Sequence, residues 1–148
     1  MQLSTANWGA KELALNGDIA GIFCTMSNEL STPKYLFCPF DKKGKAAADF
    51  GSDFNRTHVN YFVGIDTELK SPLQMILTGD DNLLVKGNPI SFGLLSLSTN
   101  ASVTWTKERH DGAGFVGFAD GGVVRVDGAA LQQTFQSAGV ATNRLAIP

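Results

Sequence analysis

His110, Asp111 and Asp120 are the residues whose types could do acid–base chemistry. Histidine titrates near neutral pH, and a carboxylate beside it could orient its ring. The chain reads Arg109-His110-Asp111-Gly112-Ala113-Gly114, then alternates Val116 and Phe118 with small residues, then reaches Asp120-Gly121. Neighbours in sequence seldom face each other, so Asp120 is the carboxylate left to consider. A strand over residues 115–120 spans roughly 17 Å at ~3.3 Å per residue. His110 therefore meets Asp120 only if the loop 111–114 folds back along that strand. A nucleophile is missing: the sequence has no Gly-x-Ser-x-Gly elbow, and neither cysteine has a histidine beside it. The reading is that the chain is not an enzyme, and that the His110 ring makes a structural hydrogen bond to a loop carbonyl.

The other chemical candidates are metal ligands and thiols. Asp80, Asp81 and Asn82 form an acidic turn. Calcium takes six to eight oxygen ligands, so an ion here would have to bridge the turn to Asp66, Glu68 or Asp120. The competing reading is a solvated turn whose side chains bond their own backbone. No cofactor is expected beyond that calcium. Cys24 and Cys38 are the sole cysteines. A bridge between them would stabilise by roughly 3 kcal/mol in an oxidising compartment; the alternative is two buried free thiols. With no His or carboxylate near either at ligand spacing, they do not spell a zinc motif. The glycines make no phosphate loop, since neither G-x-x-x-x-G-K-[ST] nor G-x-G-x-x-G occurs. Asn55-Arg56-Thr57 and Asn100-Ala101-Ser102 match the glycosylation triplet.

These residues must be held by a packed domain. A chain of 148 residues, 43% hydrophobic and 18% charged, fits one globular domain over residues 1–148. Sixteen glycines and ten phenylalanines favour many turns around an aromatic β core. A formal charge of -2 and a pI near 5.6 argue against nucleic acid. The Lys42-Lys43-Gly44-Lys45 run reads as a solvated loop. No apolar run approaches the ~20 residues that span a bilayer, and no signal peptide is visible.

Periodicity supplies the elements. Ile19, Ile22, Phe23, Met26 and Leu30 share one face of a helix over 19–30, capped by Asn16 and stopped by Pro33. Before it, Trp8, Leu13 and Leu15 suggest a short strand or turn. Tyr35 to Cys38 reads as a strand between prolines. Phe40 to Asn55 is a long polar loop with one helical turn expected at Ala46 to Phe50. Strands follow at Val59–Val63 and Leu73–Thr78, then a turn at Gly79–Asn82. A hairpin is predicted from Ile90–Ser98 and Ala101–Thr106, and a second across Asp120-Gly121, with both central residues at φ > 0. Asp127 then caps a helix through Ala138, ended by Gly139, and a last strand covers Arg144 to Pro148. The order predicts an α+β fold: an N-terminal amphipathic helix on a largely antiparallel sheet, with a C-terminal helix.

His110, nine intervening residues and Asp120-Gly121 resemble the H-X9-DG segment of bacterial prepilin-type, type II secretion pseudopilin-like proteins. So do Met26 to Pro33, Cys38-Pro39 with Asp41, Tyr61-Phe62-Val63-Gly64, Gly79-Asp80 with Asn82, and Thr142 to Pro148. The resemblance covers most of residues 26–148. It implies a pilin-like globular head, a structural subunit of a type II secretion pseudopilus or type IV pilin-like filament. Its partners would be other pseudopilin subunits or secretion-system proteins. It would be carried on the periplasmic or extracellular side by a hydrophobic N-terminal helix that anchors the whole protein in the inner membrane. That helix is absent from this sequence, whose opening reads like the middle of a protein. In the implied head, Asp120 and Gly121 make the turn, and His110 with Asp111 fix the entry loop. Related major pseudopilins bind calcium in a C-terminal loop, but no metal ligands align here residue by residue. The alternative is an extracellular carbohydrate- or ligand-binding β module, with Trp8, Trp105, Tyr35 and Tyr61 as rings to stack on sugars. Exposure of Trp105 beside a concave polar groove would favour it.

Overall fold

The computed structural model describes residues 10–67 and 71–148. Its frame is a six-stranded sheet in the order β5-β9-β1-β2-β7-β8, every neighbouring pair antiparallel. The strands are β1 (Tyr61–Gly64), β2 (Ile76–Asp80), β5 (Gly93–Ser98), β7 (Ala113–Phe118), β8 (Val123–Asp127) and β9 (Thr142–Ile147). A smaller sheet joins β4 (Asn88–Pro89), β3 (Leu83–Val85) and β6 (Val103–Trp105). The architecture is mixed α+β, with a helix α4 (Gly128–Ser137) near the C-terminal end.

Alternation along the strands divides the core. Successive side chains point to opposite faces. Phe62 and Leu145 join α4 residues Leu131 and Phe135, together with Leu83, Val103 and Trp105 of the small sheet. Val63 and Ala146, one position on, join Ile19, Ile22 and Phe23 on the other face. The Trp105 indole donates to the Val126 carbonyl at 2.9 Å, and a Cβ on Gly114 would lie 2.7 Å from that ring. Gly114 is therefore the position that lets the small sheet close against β7.

The first part of the chain differs from its periodicity. In place of one helix over 19–30 there are α2 (Ile19–Cys24) and α3 (Ser27–Leu30), preceded by α1 (Ala10–Leu15). Ala, Glu and Leu in α1 are strong helix formers, so the strand or turn expected around Leu13 and Leu15 is a helix. Trp8 lies outside the described residues. Gly17, at φ +72°, turns the chain into α2. Asp18, not Asn16, is the cap of α2, its carboxylate accepting from the Gly21 N–H at 2.9 Å. The break after α2 falls where the Thr25 hydroxyl donates to the Ile22 carbonyl and Met26 N–H bonds back to Phe23. Met26 is left exposed.

Other expectations are corrected as well. Pro33–Leu36 is a 3-10 helix capped by Thr32, so the strand expected at Tyr35–Cys38 is not formed. No helical turn forms at Ala46–Phe50, where the chain only bends; the next helical turn is the 3-10 segment Arg56–His58, capped by Asn55. Gly79 and Asp80 end a strand instead of opening a turn. β5 and β6 do not form a hairpin: β5 pairs with β9 and β6 with β3. The β7–β8 hairpin is real, but its turn has another form. Gly121 N–H bonds to the Phe118 carbonyl, and Phe118 N–H to that of Gly122. Gly121 at φ +84° is the loop's one left-handed residue, as in a three-residue turn with a glycine bulge. The expected helix cap holds: Asp127 accepts from Ala130 N–H at 2.8 Å, and Gly139 at φ +78° follows α4.

Candidate functional site

His110 and Asp120, weighed as an acid–base pair, do not meet. His110 and Asp120 stand at opposite ends of β7, and Asp120 accepts from the Gly122 N–H at 2.7 Å within the turn. Asp111 is exposed. His110, Asp111 and Gly112 are consecutive residues with positive φ, at 52°, 57° and 79°. This tight entry turn is closed by Gly112 N–H to the Arg109 carbonyl and Ala113 N–H to that of His110. It swings the His110 ring under the sheet end.

What His110 meets there is Cys38 and Asp80. Cys38 Sγ lies 3.3 Å from His110 Nε2, and Asp80 Oδ2 lies 3.6 Å from the same nitrogen. Cys38 and Asp80 are 2% and 1% exposed. Asp80, the last residue of β2, also accepts from Phe115 N–H at 2.7 Å through Oδ2, while its Oδ1 is buried without a hydrogen-bond partner. Burial raises the Asp80 carboxyl above its ordinary value; the Phe115 bond and the nearby His110 and Arg109 pull the other way. Tyr61, opposite Asp80 across β1 and β2, has its hydroxyl pushed up to about 12 by burial, then by Cys38 and Asp80. The His110 ring is flanked by Phe40, at 4.8 Å between centroids, and Phe115, edge-on at 5.4 Å.

A polar scaffold surrounds this cluster. Asn60 Oδ1 accepts from Cys38 N–H, and Asn60 Nδ2 donates to Asp41, each at 2.8 Å. The Asn60 carbonyl accepts from Asp81 N–H at 3.0 Å. Arg109 forms a largely buried ion pair with Asp81. Beside it a surface cleft of about 440 Å³ runs between Lys42, Lys43, Asn82 and Glu108. Its rim is tied by an exposed Lys43–Glu108 pair.

The residues weighed for calcium do not gather. Asp81 is held by Arg109, Asp66 is paired with Arg144 and Asp120 caps its own turn. Glu68 lies outside the described residues. Asp80 faces a thiol and an imidazole, softer donors than calcium prefers. The Cys24–Cys38 bridge is not formed: both are free thiols, Cys24 exposed at the end of α2 and Cys38 turned inward on His110. Trp105 is 3% exposed, which removes it as a stacking ring for sugars, whereas Tyr35 is exposed. Sequence reasoning missed the Cys38–His110 contact because it looked for neighbours in the chain, and 72 positions separate the two. Cys38, Asp80 and His110 were nonetheless all among the residues that carry the pseudopilin-like resemblance.

The arrangement is a poor nucleophile relay. In a Cys–His–Asp triad the carboxylate holds one ring nitrogen and the thiol the other. Here both approach Nε2, and the thiol is buried. Comparison with protein-family models, with curated proteins and with solved structures gives no match to this chain. Among the described residues no helix is long and apolar enough to cross a membrane.

Proposed function

We propose that this chain is the globular head of a pilin-like subunit, assembling into a type II secretion pseudopilus or a related filament at the cell envelope. One observation carries the reading. Several scattered pieces of the pseudopilin-like pattern meet at one end of the main sheet: Cys38 with Asp41, Tyr61, Asp80 and His110. Another piece, Asp120-Gly121, closes the hairpin whose first strand His110 introduces. The nine intervening residues are Asp111 and Gly112 of the entry turn, the six of β7 and Ala119.

Short N-terminal helices lying on one sheet face also agree with a head carried on a helical stalk. Membrane attachment, in this reading, belongs to a hydrophobic helix outside this sequence, and the partners are neighbouring subunits. The test is to express the full-length gene, epitope-tagged in the head, in its own host. The head should be labelled on filaments sheared from the cell and in the envelope fraction. Recovery of the whole population as free monomer, with no envelope association, would overturn the proposal.

A further inference from the structure

We propose that Cys38, Asp80 and His110 are the three protein ligands of a zinc ion, with the fourth position left to water. Among the described residues, their donor atoms form a group lying within 4.8 Å of one another. Tetrahedral zinc, with bonds of about 2.0–2.3 Å, sets its ligands roughly 3.3–3.8 Å apart. The separations of 3.3 Å from Sγ to Nε2 and 3.6 Å from Nε2 to Oδ2 match that spacing. Zinc takes thiolate, imidazole and carboxylate alike, whereas calcium and magnesium take the carboxylate but not the thiolate or imidazole.

One further observation points to a cation at this place. Asp80 Oδ1, in a residue only 1% exposed, has no hydrogen-bond partner, and an unpaired buried carboxylate oxygen is costly. A zinc ion on Oδ2 offsets the charge of this buried carboxylate: thiolate and carboxylate together balance its two positive charges and leave a neutral centre. The outer contacts are those that orient ligands. Asn60 holds the Cys38 backbone, Phe115 N–H holds Asp80, and Phe40 with Phe115 fix the His110 ring. The ion would join the Cys38 turn, the end of β2 and the entry to β7. Binding releases the Cys38 thiol proton to solvent, and the sulfur electron pair goes to the metal. This inference does not depend on the filament reading; it concerns how the head is held together.

The experiment titrates chelator-stripped protein with zinc against a chromophoric competitor, and separately with cobalt(II). One equivalent per chain is expected, and the cobalt form should show a thiolate charge-transfer band with tetrahedral ligand-field bands. Cys38→Ser should abolish the charge-transfer band and weaken zinc binding by at least about tenfold, and Cys24→Ser should leave both unchanged. X-ray absorption of the zinc-loaded wild type needs no variant: it should find one sulfur at about 2.3 Å with nitrogen and oxygen at about 2.0–2.2 Å. Failure of wild type to take up one equivalent, a zinc shell without sulfur, or a charge-transfer band that survives Cys38→Ser would each overturn the site. The cluster would then be a hydrogen-bonded knot alone.

Discussion

Cys38 and Asn60 are joined by a buried backbone-to-side-chain hydrogen bond of 2.8 Å. The same amide reaches Asp41 with its nitrogen, and the Asn60 carbonyl receives Asp81 N–H. One residue thus ties the Cys38 turn to the ends of β1 and β2. Asn60→Ala leaves the Cys38 N–H buried without an acceptor, and an orphaned buried donor costs about 1–3 kcal/mol. Urea denaturation at fixed metal content should show a loss of that size; a change under 0.5 kcal/mol would remove Asn60 as the organising residue.

Arg109 and Asp81 form a pair with side chains only 8% and 19% exposed. Arg109→Met removes the cation and strands the carboxylate. Breaking such a pair from one side costs about 3–5 kcal/mol. The double variant Arg109→Met with Asp81→Leu should recover much of the loss. A single variant as stable as the parent would mean that water reaches Asp81 freely.

Asp80 gives a pH dependence with a definite sign. Its folded-state pKa is raised above the usual 3.8, chiefly by burial. The folded protein therefore holds this proton more tightly than the unfolded chain. The associated stability is complete below 3.8 and is lost as pH rises through the folded value. Metal-free protein should thus gain stability from this group on acidification from neutrality toward 3.8. The difference between parent and Asp80→Asn denaturation midpoints across that window isolates it. A flat difference would deny the shift.

Gly121 and Gly114 should fail as alanine for different reasons. Gly121 has φ +84° with open space beside it, so Gly121→Ala costs backbone strain of about 1–2 kcal/mol. Gly114 has an ordinary backbone, but a Cβ there would lie 2.7 Å from the Trp105 ring, so Gly114→Ala forces repacking at about 1–3 kcal/mol. Near-ultraviolet circular dichroism separates them: the indole signal should change in the second and persist in the first.

The parts of this fold legible in the sequence are those written locally. Asp127 and Gly139 bracket α4 because cap and stop signals act within a few residues, and the Asp-Gly hairpin is visible for the same reason. Its turn form was not, because Gly121 alone supplies the left-handed residue while Asp120 binds the following N–H. The stripe from Ile19 to Leu30 has helical period, yet period cannot register a hydroxyl at Thr25 drawing on the Ile22 carbonyl. Pairing of β5 with β9 instead of β6 is a tertiary choice between strands of similar composition. The site was the least legible. Its histidine was found, but its two partners arrive from segments that only the closed sheet brings together.

The strand Thr142–Ile147 occupies an interior lane of the main sheet, hydrogen-bonded to β5 on one side and β1 on the other. During synthesis, β5 therefore has no partner in that sheet until residue 147 has cleared the ribosome. The growing chain must wait, with an open gap between two waiting edges, and close it in one late event. Trimming even this short segment should cost the whole sheet its shape.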